Sequence, residues 1–273
     1  MIRLNGLAAT ALMQRIECSA APGVNTRFAF AGLAWSRRAG EQDRLLFGLE
    51  GMLVRGTTPL VDPHRGQGFQ RLGRELMVIR DAVSGAVLDH WDNPFTGERV
   101  DVVHVANDHV NGTYFERDAA GGVFSLTLER TGPFWQHAQV LPIRRPNPLG
   151  AGYEREIGGM YHACEMFGFT GLSAQIDDPA CAALDVAVNW TRLSDWYPWM
   201  GMEGREGMIY VHTTGAKLAL GADLPGDLQT LIDTRFPVFN RPPPPGDSGA
   251  MDTSWSEYRR IRETGARWYE QAA

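Results

Sequence analysis

A series of short, turn-separated segments with strand character constrains the fold of this chain more than any other feature. These segments lie at residues 75–80, 85–91, 99–106, 110–116, 123–129 and 134–141. Several of their connections are far shorter than the dozen or so residues that a parallel crossover needs. The sequence therefore predicts a mainly β (α+β) fold: an antiparallel β-barrel or a strongly curled meander sheet with peripheral helices.

Alternation within the segments supports this prediction. Phe124, Leu126 and Leu128 fall on one face of a strand, whereas Ser125 and Thr127 fall on the other, because successive strand side chains point to opposite faces.

Similar patterns extend the β-rich region in both directions. Residues 27–35 and 45–55 predict a hairpin, and residues 184–190 and 208–213 predict two later strands. The Pro- and Gly-containing stretches are predicted loops, at residues 57–73 and 142–152.

Three regions are predicted along the chain. Residues 1–25 form a helix and a loop, residues 26–240 form one barrel-like domain, and residues 241–273 form a proline spacer and a helix packed on it. Thr253 or Ser254 is the predicted N-cap of that helix. Trp255, Tyr258 and Ile261 then follow at helical spacing, and Trp268 and Tyr269 come later in the same segment.

Composition excludes several classes of protein. A net charge of −6 and a pI of about 5.7 argue against nucleic acid as a partner. The 3 cysteines lack metal or disulfide spacing, which favours a reducing cytoplasm. No apolar run is long enough to span a membrane, and residues 1–23 make a poor signal peptide. We expect a cytoplasmic protein, with the periplasm as the alternative.

Missing motifs narrow the chemistry further. The sequence has no dinucleotide or P-loop glycine pattern and no HExxH or GxSxG motif. His104, Asp108 and His109 come nearest to a ligand set, but the Asn107–Asp108 turn is expected to separate the two histidines. The sequence therefore predicts no cofactor and no metal.

Titratable residues on predicted strands are the candidate catalytic groups. His104 shares a strand face with Val100 and Val102, and Tyr210 shares one with His212. In a desolvated pocket, His and Tyr side chains act as an acid/base pair. The competing interpretation for each is a hydrogen-bonded structural residue. We take His104, Tyr210 and His212 as the catalytic candidates.

The segment 195–202, DWYPWMGM, is the most unusual stretch of the chain. A loop this apolar must be buried, so it either plugs one end of the barrel or walls a pocket for a flat apolar ligand. Other aromatic side chains and one arginine could line the same pocket. The predicted substrate-binding residues are Arg55, Trp91, Tyr114, Trp135, Trp196, Tyr197, Trp199 and Met200.

Four stretches together resemble a bacterial family of unknown function. They are LLFGLEGMLVRG at 45–56, WDNPFTGE at 91–98, DWYPWMGMEGREGMIYV at 195–211 and DTSWSEYRR at 252–260. Members of this family have no agreed activity. The resemblance does imply a link to bacteria that break down aromatic compounds. The resemblance also implies that some relatives carry an export signal, which we do not expect in this chain.

Two main functions compete. The first is a cofactor-independent lyase or isomerase acting on a bulky aromatic small molecule, in its sharpest form a lignin-derived aromatic dimer with release of formaldehyde. The second is a lipocalin-like carrier of a hydrophobic ligand. A third interpretation, an assembly protein, would use the C-terminal helix as the interface of a homo-oligomer. Titratable groups converging inside the cavity would favour the enzyme.

Overall fold

A computed structural model describes residues 1–247 and 251–267. Trp268 and Tyr269, predicted to continue the C-terminal helix, lie outside the described residues. The strands are β1 (Ile2–Asn5), β2 (Thr26–Arg37), β3 (Arg44–Asp62), β4 (Gly66–Arg80), β5 (His90–Asp92), β6 (Arg99–Asp101), β7 (Val105–Asp108), β8 (Gly112–Phe115), β9 (Ser125–Thr131), β10 (Phe134–Pro146), β11 (Met160–Leu172), β12 (Ala187–Ser194) and β13 (Met208–Ala219).

One long antiparallel sheet contains nearly all of these strands. Its order is β1-β9-β10-β11-β12-β13-β2-β3-β4-β7, with β8 also pairing with β4. β5 and β6 form a separate two-stranded ribbon. The sheet curls strongly into a half-barrel, so the predicted antiparallel, curled fold with peripheral helices is confirmed.

Helices pack against both faces of the half-barrel. They are α1 (Gly6–Glu17), α2 (Glu154–Ile157), α3 (Ser173–Asp177), α4 (Leu228–Arg235) and α5 (Ser254–Thr264). Short 3-10 turns occupy Pro198–Met200 and Pro237–Asn240. Thr253 is the N-cap of α5 and forms a capping box with Ser256, which confirms the first of the two predicted caps. Among the described residues, no helix is long and apolar enough to cross a membrane.

Alternation along the strands separates an inner from an outer face. Phe28 and Phe30 point inward, whereas Ala29 packs in the outer cluster, which α4 and the turn at Pro237–Asn240 cover. The inner face carries two apolar clusters. One is built around Phe47 and the apolar segment 195–202, and the other is built around α1.

Three local predictions are wrong. Residues 57–73 are not a loop, because β3 and β4 stay paired from Gly48 with Arg80 to Asp62 with Gly66. Residues 142–146 are not a connector, since they continue β10 along β11. The segment 85–91 contributes only the start of β5, and β11 was not predicted at all.

Lys217, the sole lysine of the chain, ties α1 to the sheet. Its Nζ donates hydrogen bonds to the carbonyl oxygens of Arg15, Ile16 and Cys18, at 2.6, 3.0 and 3.1 Å. The last carbonyls of a helix have no partner within the helix, so this buried ammonium group satisfies them. Burial lowers the pKa of Lys217 to about 8.

Candidate functional site

Charged side chains cross the inner face of the sheet between the two apolar clusters. Inner-face positions carry an arginine on β3, a glutamate on β4, a glutamate on β11 and an arginine on β12. Leu53, which packs against both clusters, lies on the same face. We call this region the inner cleft and define it by Arg55, Glu75, Glu165, Arg192 and Tyr197.

Arg192 and Glu165 form the fixed side of the inner cleft. They are directly opposite each other on β12 and β11. The guanidinium group of Arg192 donates to the Glu165 carboxylate through Nη1 and to the Tyr161 hydroxyl through Nη2. This pairing satisfies two charges that are both more than four-fifths buried. The pair therefore positions the Tyr161 hydroxyl group.

Tyr197 lies beside this pair, in the turn that precedes Pro198–Met200. Burial raises the pKa of Tyr197 to about 12, while the charge of Arg192 opposes that rise. The phenol is therefore neutral at physiological pH and able to donate a proton in a hydrogen bond.

Glu75 faces Tyr197 and Arg192 from β4. Burial raises its pKa above the usual value and the negative charge of Glu165 adds to the rise, whereas a hydrogen bond from Asn107 and the charges of Arg192 and Arg55 oppose it. Among the described residues, no cationic nitrogen lies within 4.0 Å of the Glu75 carboxylate. Glu75 is thus the glutamate of the inner cleft that lacks an ion pair.

A second charged group adjoins the cleft at the end of α1. Arg71 Nη1 lies 2.6 Å from Glu17 Oε2, and the Tyr114 hydroxyl donates to Glu17 Oε1 at 3.1 Å. Burial alone would raise the pKa of Glu17, but the charges of Arg71 and Arg55 outweigh it and hold that pKa below its usual value. Glu17 is therefore an ionised anchor for the helix.

A row of stacked rings extends over the inner face beside the charged groups. The centroids of Trp190 and Phe167 are 6.4 Å apart, and Phe167 continues to Phe169 at 6.2 Å. Trp190 Nε1 is buried and has no hydrogen-bond partner among the described residues. Rings in this arrangement offer a flat apolar surface with one unused donor.

The inner cleft opens along β10. Within the described residues, β9 pairs with β10 only at Phe134–Gln136, so residues 137–146 have β11 as their single neighbour. Leu141, on the inner face beside Glu165, remains 39% exposed. At one end of the opening, α5 reaches β7 through Ser254 and β11 through Trp255. Solvent therefore reaches the inner face from the β10 side.

The structure does not bring the predicted catalytic residues together. Tyr210 stacks on Trp35 at 5.5 Å, and His212 Nδ1 lies 2.9 Å from Thr191 Oγ1, on the outer face of β13. Their neighbours Ile209 and Val211 are the residues that pack inward. Tyr210 and His212 do share one face, but it is the face opposite to the one that carries the segment 195–202.

His104 lies between β6 and β7, in a stretch that does not form the expected strand, and β2, β3 and β4 separate it from β13. It is fully buried, and its Nδ1 accepts a hydrogen bond from the Ile79 backbone N–H at 3.2 Å. Burial lowers its pKa to about 3. This geometry favours the structural interpretation of His104. Because Nδ1 accepts a hydrogen bond, the neutral ring carries its proton on Nε2, so neither nitrogen offers the free lone pair that a general base needs.

The predicted substrate-binding residues divide into two groups. Arg55, Tyr114 and Tyr197 are half-buried and lie at or beside the inner cleft. The others are closely packed in the apolar clusters rather than lining an opening: Trp91, Trp135, Trp196, Trp199 and Met200.

Two contacts illustrate this packing. Trp91 meets Trp199 edge to face at 5.9 Å. Trp135 lies so close to Gly171 that a Cβ atom there would be 2.7 Å from the indole nitrogen. The segment 195–202 therefore plugs the core, except at Tyr197.

Sequence reasoning missed Glu75, Glu165 and Arg192. A signal was available for Glu75, because it shares strand parity with the apolar residues Met77 and Ile79. A charged residue on the apolar face of a strand is costly unless it has a function or a partner. Within residues 1–247 and 251–267, no group of three or more His, Cys, Asp or Glu side chains is arranged to hold a metal ion.

The fold and its charged interior define a curled antiparallel half-barrel with a polar cleft on the inner face. Residues 23–262 match the model of a family described as "Protein of unknown function (DUF1838)". The match covers most of the chain, which therefore belongs to this family, and it confirms the resemblance to a family of unknown function. A search among curated proteins finds no match.

Proposed function

We propose that this protein is a cofactor-independent acid/base enzyme, a lyase or isomerase, that acts on an aromatic small molecule in the inner cleft. One observation carries the proposal. The Glu75 carboxyl group faces the cleft with a raised pKa and, among the described residues, without a cation within ion-pair distance. A buried carboxyl group of this kind is typical of general acid/base residues.

The groups around Glu75 suit proton transfer. A carbanion or enolate formed when Glu75 removes a proton needs hydrogen-bond donors for the developing negative charge. The neutral Tyr197 hydroxyl and the Arg192 guanidinium group lie in electrostatic contact with each other and with Glu75. Arg192 is already fixed by Glu165, so its guanidinium group is oriented before the substrate arrives.

The stacked rings of Trp190 and Phe167 support an aromatic substrate. They lie on the same face of the sheet as Glu165 and Arg192, on the same two strands. An offset-stacked aromatic ligand gains about 0.5–1.5 kcal/mol per ring pair beyond its buried area. Convergence of titratable groups on this surface favours an enzyme over a carrier, whose interior would be lined by apolar groups alone.

A product screen tests the proposal. Wild-type protein is incubated with a panel of aromatic metabolites that includes lignin-derived dimers, and products, with formaldehyde as one, are detected by mass spectrometry. Glu75→Gln is expected to lose at least about a hundred-fold in turnover, whereas the exposed control Glu129→Gln keeps wild-type turnover. Wild-type turnover by Glu75→Gln would contradict the proposal. Ligand binding without product in the wild type would favour the carrier.

A further inference from the structure

Arg55 is the arginine of the inner cleft with the weakest pairing. Its Nη1 is 3.8 Å from Glu17 Oε2 and 3.5 Å from the Glu17 carbonyl oxygen. Glu17 already binds Arg71 at 2.6 Å and accepts a hydrogen bond from Tyr114. Arg55 therefore has donor capacity that its neighbours leave unused, although its side chain is only 12% exposed.

The carboxylates around the cleft do not serve its arginines equally. Arg71 is matched by Glu17, and Arg192 is matched by Glu165. Arg55 shares Glu17 with Arg71 and is the more distant of the two, and Glu75 lies beyond ion-pair distance from it. A half-buried guanidinium group whose nearest carboxylate is 3.8 Å away and already bound to another arginine is costly. A single negative charge on a ligand would remove that cost.

Phe28 holds Arg55 in an orientation suited to such a ligand. The guanidinium carbon lies 4.8 Å from the centre of the Phe28 ring, a cation–π geometry that supports one face of the planar group. The edges of the group, which carry its N–H donors, remain available for a bidentate contact with a carboxylate. Phe28 belongs to the apolar cluster against which Phe167 packs.

We propose that the inner cleft binds an aromatic monocarboxylate, with the carboxylate on Arg55 and the ring against Trp190 and Phe167. This inference rests on the proposed function, because it names the substrate class of the same site. The anion on Arg55 would lie on the Glu75 side of the cleft, since the charge of Arg55 acts on Glu75.

Matched ligand pairs test the inference by isothermal titration calorimetry. The pairs are benzoate and benzamide, 3-phenylpropanoate and its primary amide, and cinnamate and cinnamamide. For at least one pair, wild-type protein is expected to bind the acid at least ten-fold more tightly than the amide. Arg55→Gln is expected to abolish the difference, and Arg55→Lys to reduce it. The exposed control Arg99→Gln is expected to keep it.

Equal binding of acid and amide, an acid preference that survives in Arg55→Gln, or no binding of any acid would overturn the inference. If Arg55→Gln does not fold by circular dichroism, the same comparison is decided by Arg55→Lys. Failure of the proposed function would give a different combination of binding and turnover results. An acid preference that depends on Arg55, together with product formation that is indifferent to Glu75→Gln, would leave the binding site in place and reject Glu75 as the acid/base group.

Discussion

Glu75 and Asn107 are joined by a hydrogen bond of 2.8 Å from the Asn107 side-chain amide to the Glu75 carboxylate. The orientation of that amide is determined by its other contact, because Asn107 Oδ1 accepts a hydrogen bond from the Ser254 backbone N–H at 3.1 Å. An asparagine whose oxygen is already engaged by a donor must present its NH₂ group to Glu75. The start of α5 therefore fixes the donor that contacts the candidate acid/base residue.

Glu75→Gln is expected to raise the thermal stability of the protein above pH 7. The folded-state pKa of Glu75 is raised above the unfolded value, so wild-type stability falls as pH rises through that interval. The glutamine side chain of the variant has no charge to bury, and its carbonyl oxygen still accepts a hydrogen bond from Asn107. Differential scanning calorimetry at pH 5 and pH 8 checks this. A lower unfolding temperature for the variant at pH 8 would contradict it.

Glu17→Gln is the matched comparison for Glu75→Gln, and it is expected to lower the stability of the protein rather than raise it. Glu17 has a folded-state pKa below its unfolded value because Arg71 and Arg55 stabilise its charge. The contribution of Glu17 to the free energy of unfolding is present at neutral pH, and it is lost as the pH falls through the folded-state pKa. Removing the charge leaves Arg71 without its partner, which costs about 3 kcal/mol at pH 7. Chemical denaturation measures the difference, and an unchanged midpoint would reject it.

His104 is expected to make the fold sensitive to acid. Its pKa is about 3 in the folded state against 6.5 as an ordinary histidine, so the unfolded state binds a proton first and stability is lost as pH falls below 6.5. His104→Asn keeps an acceptor for the Ile79 N–H. Between pH 7 and pH 4, the wild type is expected to lose about 3 kcal/mol more than this variant. Equal losses in urea titrations would refute the assignment.

Lys217→Met is expected to destabilise the protein by about 3 kcal/mol, because it leaves the Ile16 and Cys18 carbonyl groups at the end of α1 without their donor. The folded-state pKa of about 8 lies below the ordinary 10.5. Wild-type stability therefore rises between pH 8 and pH 10.5, and this rise is absent from the variant. The exposed Arg99→Met serves as the control. A variant as stable as that control would contradict the capping role of Lys217.

The curled sheet was predictable because its signals are local. Alternation and turns specified the hairpin of β2 with β3 and the strands β4, β9, β10 and β13. β11 was not predictable by the same rule. Gly168 and Gly171 interrupt its apolar pattern, and Glu165 occupies an inward position that an ordinary core strand would fill with an apolar residue.

The site was harder to predict than the fold, because its contacts join residues far apart in sequence. Alternation placed Tyr210 and His212 on one face correctly, but it cannot tell which face is the inner one. That choice depends on the neighbouring strands, where Ala34 and Phe30 pack with Val211. Glu75 and Arg192 likewise meet only through the curl of the sheet.

The protonation of Glu75 is the property on which the account depends most directly. Protein labelled with ¹³C at the glutamate side-chain carboxyl is titrated by NMR, and the Glu75 signal is identified by its absence from Glu75→Gln. This signal is expected to titrate above the ordinary glutamate pKa of 4.5. Glu165→Gln is expected to lower that titration point, because the charge of Glu165 contributes to it. A Glu75 signal that titrates at or below 4.5 would contradict its assignment as the acid/base group of the inner cleft.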